Sequence, residues 1–174
     1  TYVSKDGIPG VYFLTLEAKS LVTCSYAPKA YGLPYNYAKG KITKQGNIIN
    51  WSSSRKDGDL DLIGTTEIYG TPQNAEPGSL EEFLFERYCL YTNKNGNIMR
   101  GYTHHKKWIF QPAKVNITSN SLTKNYNLGI KDLLAPDLVH FSLGVNVRTY
   151  SIEISERIGT DINRDFLFLD GDCG

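Results

Sequence analysis

Methionine occurs once in this 174-residue chain, cysteine three times, and neither sign of charge dominates. Cys24, Cys89 and Cys173 are too few and too scattered for a disulfide framework. Buried free thiols in a reducing, cytoplasmic setting are expected instead. No apolar run approaches the ~18 residues that a spanning helix needs, so no membrane partner is expected. Thr1–Lys5 has neither the basic end nor the apolar middle of a signal peptide, and the missing initiator methionine implies an N-terminus upstream or removed. With 19 basic against 18 acidic residues the net charge is +1, which argues against nucleic acid as the main partner. A Gly-rich phosphate loop, a Gly-x-Ser-x-Gly elbow and a chelating spacing of His, Cys and carboxylates are all missing. No cofactor and no metal are therefore expected.

What is present is ordinary globular material, 40% hydrophobic and 21% charged, enough for one core. Tyrosine, at 12 residues, suits strands and lined cavities. Gly10–Leu16 reads as a strand buried on both faces. Ser20–Tyr31 reads as a short helix limited by Pro28. Strands follow near Tyr37–Lys44, Ile48–Arg55 and Leu62–Tyr69, the first two joined by a turn at Gln45–Asn47. Ser79-Leu80-Glu81-Glu82 is a capping box, predicting a helix to about Arg87. Tyr88–Thr92 and Asn97–His104 form a hairpin across Asn95-Gly96, and Lys106–Ile117 is a further strand. A helical turn is predicted at Ile130–Leu134 and one long half-buried strand from Phe141 to about Ile154. The pattern predicts an α+β fold, mainly antiparallel β, as a closed or half-closed barrel with short flanking helices.

Four stretches carry a family resemblance: Gly10-Val11-Tyr12-Phe13-Leu14, Tyr31-Gly32-Leu33-Pro34-Tyr35, Pro77–Glu81 with Glu86–Tyr91, and His104-His105 with Gln111-Pro112-Ala113. Over residues 1–155 they resemble the YqjF-like family of bacterial proteins, whose members carry further N-terminal sequence. That family is in turn similar to acetoacetate decarboxylase, which implies a β-barrel with a buried cavity. In the decarboxylase two lysines follow the corner proline, and the first forms a Schiff base with the substrate. Tyr35 and Asn36 stand there in this chain, and neither can form an imine. The resemblance therefore implies the fold without the mechanism. Phe166–Gly174 resembles the opening of a thiol–disulfide oxidoreductase of the D-x-x-C-x-x-C type. Residues 156–174 would then be a linker and the first residues of a thioredoxin-like domain.

Polar residues at apolar positions supply the site candidates. Arg87 falls in the middle of the Leu80, Phe83, Leu84 stripe, and Arg55 shares a strand face with Ile49 and Trp51. A buried guanidinium demands an anionic partner, from the protein or from a ligand. His104 and His105 point to opposite faces of one strand, so they fail as a metal pair, while either one can serve as a proton carrier. Lys106 and Lys107 likewise oppose each other, and Cys89 reads as core packing. The leading expectation is a barrel binding a small, anionic keto or carboxylic acid. Its cavity would be lined by Tyr35, Asn36, Trp51, Arg55, Arg87, Tyr88 and Arg100. The alternatives are an enzyme working on such an acid by non-covalent acid–base chemistry through His104 or His105, and an accessory domain touching a C-terminal redox module.

Overall fold

A computed structural model describes residues 1–56, 60–126, 128–157 and 167–168. Among these residues, two six-stranded sheets make a half-barrel with two α-helices. In the first sheet the order is β11 (Val147–Arg157), β8 (Asn97–His105), β7 (Cys89–Lys94), β2 (Ile8–Tyr12), β1 (Tyr2–Lys5) and β12 (Leu167–Phe168). In the second it is β10 (His140–Phe141), β9 (Gln111–Asn120), β6 (Asp61–Ile68), β5 (Ile48–Arg55), β4 (Tyr35–Gln45) and β3 (Leu16–Ala18). All neighbours are antiparallel except β2 with β7 and β3 with β4.

The predicted first strand is two strands, because the chain leaves the first sheet at Tyr12 and joins the second at Leu16. The predicted long strand 141–154 is likewise divided. His140–Phe141 pairs with β9, whereas Val147–Arg157 pairs with β8. Alternation of apolar and polar residues continues through the crossing, so the break has no signature in the pattern. Lys106–Ile109 is connection rather than strand, and the helical turn lies at Lys124–Tyr126 instead of Ile130–Leu134. Leu167–Phe168 pairs with β1 through Val3 and Ser4. The rest of the predicted linker and redox segment, 158–166 and 169–174, lies outside the described residues.

The first helix, α1 (Leu21–Tyr31), starts where the Ser20 hydroxyl accepts from the Thr23 amide at 3.1 Å. Pro28 sits inside it, and the helix ends one turn later at Gly32, whose φ of 68° closes a bond to the Pro28 carbonyl. A side chain at Gly32 would also meet the Asn93 carbonyl at 2.7 Å. The second helix, α2 (Leu80–Phe85), is capped as the sequence predicts, with the Ser79 hydroxyl accepting from the Glu82 amide at 3.1 Å. Glu82 reaches back to the Gly78 amide at 2.7 Å. The helix stops two residues before Arg87, because Glu86 leaves helical geometry and its carboxylate accepts from the Trp108 amide.

The packed core is small. Val3, Cys89, Tyr91 and Ile98 are buried together, with Ile8 and Tyr12 packed on them. The Tyr91 hydroxyl donates to the Ile8 carbonyl at 3.0 Å, so its polar tip is satisfied.

Candidate functional site

The chain changes sheet four times among the described residues, and each crossing contributes to one cavity. Phe13 comes from the β2–β3 crossing; Leu84, Phe85 and Arg87 from the approach to β7. Trp108 and Phe110 come from the β8–β9 crossing, and Ser142 from the β10–β11 crossing. Val11, Leu90, Thr103, His105 and Val147 supply the floor from the first sheet. The cavity is an open cleft of about 390 Å³, within the range of small-molecule sites.

The walls are mainly aromatic and aliphatic. Phe85 packs on Phe110 at 4.8 Å, and both meet the edge or face of His140, at 5.2 and 4.8 Å. His140 Nε2 is 3.3 Å from Glu81 Oε1, which ties β10 to α2. Arg87 lies with its guanidinium 4.0 Å over the Phe83 ring and 5.8 Å from Tyr2. Burial draws its pKa down from the ordinary arginine value. Among the described residues no carboxylate lies within ion-pair distance of it.

His105 is 7% exposed, and both its ring nitrogens face main-chain carbonyls: Nδ1 at 2.8 Å from Lys106 and Nε2 at 3.3 Å from Arg87. Its ring stacks on Tyr88 at 4.6 Å and meets Trp108 edge-on. The imidazole thus spans the main-chain carbonyls of Lys106 and Arg87, and a neutral ring, with one N–H, donates to one of them. His104 is exposed on the other face of β8. Of the two expected proton carriers, His105 borders the cavity and His104 stands at the surface.

The seven expected lining residues do not converge, and only Arg87 lines this cavity. Arg55 is joined to Glu17 by two bonds of 2.8 and 3.2 Å and to Thr15 at 2.8 Å. Asn36 completes that network by donating to Thr15 and to the Pro34 carbonyl, so it braces the corner. Trp51 donates to Thr66 at 2.8 Å and covers Gly64 on the second sheet. Tyr88 points its hydroxyl at the Glu86 carboxylate, which pushes its pKa up to about 12. Arg100 lies over Tyr102 with its Nε unpartnered. Tyr35 lines a second hollow of about 290 Å³ under α1, with Tyr26, Tyr31 and Tyr150, and this hollow meets the cavity at Leu90. Sequence reasoning missed Trp108, Phe110 and His140, which are far apart in sequence and carry no shared motif.

No lysine and no carboxylate lines the cavity among the described residues. Cys89 reaches it, and burial pushes its thiol up, so it stays protonated at neutral pH. No group of three His, Cys, Asp or Glu side chains that could hold a metal occurs among the described residues, and no helix is long and apolar enough to cross a membrane.

These features define an acetoacetate decarboxylase-like half-barrel. The likeness is to the crystal structure of acetoacetate decarboxylase from Legionella pneumophila subsp. pneumophila str. Philadelphia 1, with a TM-score of 0.58. It covers 91% of this chain and 64% of that one at 18% identity, so it establishes the fold alone. The chain belongs to the DUF2071 family, described as an uncharacterized conserved protein, which it matches over residues 1–146. It is 32% identical over 143 residues to the uncharacterized protein YqjF of Bacillus subtilis (strain 168). That match takes in 82% of this chain and 58% of the relative, so the chain spans little more than half its length.

Proposed function

We propose that the cavity binds a small organic acid, with its carboxylate on Arg87 and its apolar part against Phe85, Trp108 and Phe110. The observation that carries this is half-buried Arg87 on the apolar wall, its guanidinium over the Phe83 ring and with no protein carboxylate beside it among the described residues. A guanidinium does not give up its charge at neutral pH, so the cavity favours an anion. Binding is better supported than acid–base turnover, because no carboxylate lines the walls among the described residues and His105 is tied to the main chain beside it. The free thiols Cys24 and Cys89 support a reducing, cytoplasmic setting.

Calorimetric titration with straight-chain and 2-oxo acids of four to eight carbons tests the proposal. Arg87→Met is expected to abolish binding while leaving the melting temperature near that of the parent. Arg87→Lys is expected to weaken binding at least tenfold, since an ammonium cannot reproduce a bidentate fork. Equal affinity in the parent and both variants defeats the proposal.

A further inference from the structure

A second concave surface lies on the other side of the ribbon formed by residues 105–110 and 142–148. Trp108, Phe110 and Val147 face the apolar cavity, while Lys107, Ile109 and Arg148 line the outer groove, and His105 borders both. The groove, about 650 Å³, is also lined by His104 and Lys106. Its lining thus holds three fixed cations and two histidines, and no carboxylate among the described residues.

This concentration is unusual for a chain whose net charge is only +1. Arg148 stands directly opposite His104 in the β11–β8 register, and the two lysines follow at the end of β8. Like charges held close together on one sheet edge repel, and an anion bound among them relieves that repulsion. None of the four takes part in an ion pair among the described residues. Gly144, with φ of 91° and open space where a Cβ would stand, leaves the groove wall low on the β11 side.

We infer that the groove binds the phosphate or diphosphate group of a small phosphorylated metabolite. A phosphate monoester brings about two negative charges and three strong acceptor oxygens, which Lys106 and Lys107 from the segment after β8 and Arg148 from β11 can match. Nucleic acid fits poorly, because its backbone needs a track of cations and here they are confined to one end of β8 and β11. The site is separate from the organic-acid cavity and does not depend on it.

Inorganic pyrophosphate is the probe, titrated into the purified protein at fixed ionic strength with sulfate as reference. Pyrophosphate is expected to bind at least tenfold more tightly than sulfate, and less tightly as salt is raised. The triple change Lys106→Gln, Lys107→Gln, Arg148→Gln is expected to remove that preference. The triple change Lys29→Gln, Lys41→Gln, Lys131→Gln alters net charge equally on exposed positions elsewhere and is expected to keep it. Arg87→Met is also expected to keep it, which separates this site from the cavity. The inference is overturned if pyrophosphate and sulfate bind alike, if both triple variants lose binding equally, or if a glutamate-rich peptide displaces pyrophosphate at lower concentration.

Discussion

Asn36 stands where the decarboxylase resemblance puts a lysine, and its amide ties Thr15 to the Pro34 carbonyl. The same cluster holds Arg55 between Thr15 and Glu17, with only 17% and 13% of the Arg55 and Glu17 side chains exposed. That Arg55 needed a partner was legible from its strand face. That the partner is Glu17 was not, since the two meet only when β3 is laid beside β4 and β4 beside β5. Glu17→Gln leaves the guanidinium charged and largely buried, so it is expected to lower unfolding stability by roughly 3 kcal/mol in a urea melt. Tyr91 gives a pH-dependent counterpart. Burial pushes its phenol from an ordinary value of 10.0 up to about 12. The folded state then holds the proton more tightly than the unfolded state. Its contribution to stability is full below pH 10 and is lost as pH rises through about 12. Stability is expected to fall across that window, and more shallowly in Tyr91→Phe. A parallel slope in the two proteins tells against this account.

At the scale of elements, local chemistry was legible and sheet membership was not. Ser79 and Glu82 announce α2 because capping is settled within four residues. Ser79→Ala is expected to cost about 1 kcal/mol, with the loss confined to α2 in hydrogen exchange. The Asn95-Gly96 hairpin was equally plain, since both residues need positive φ. Gly32 is harder to read. Its φ of 68° follows from its place after a helix, but its contact with the Asn93 carbonyl follows from β7, some sixty residues on. Gly32→Ala thus meets backbone strain and a fixed neighbour together. A loss of about 1–3 kcal/mol is expected, larger than at Gly46, where the φ is similar and the space is open.

The whole molecule explains why the cavity was hidden. Its walls are the four places where the chain passes from one sheet to the other, so its lining is drawn from segments between residues 11 and 147. A strand face announces itself by alternation, whereas a crossing residue has no period to obey. Arg87 was found by extending the Leu80, Phe83, Leu84 stripe along a helix expected to reach it, although α2 ends at Phe85; Phe110 and His140 lie on no such stripe. Phe110 is 3% exposed and lies in the β8–β9 crossing, packing on Phe85 in the approach to β7 and on His140 of β10. Removing its ring deletes a shared wall rather than one contact. Phe110→Ala is expected to cost about 3–5 kcal/mol and to weaken organic-acid binding together with stability. Phe110→Leu keeps most of the volume and is expected to lose less than half as much. Ile42→Ala, at a position 76% exposed on β4, is expected to stay within about 0.5 kcal/mol of the parent. If Phe110→Ala proves as mild as Ile42→Ala in the same urea melts, the crossings are not the framework of the cavity.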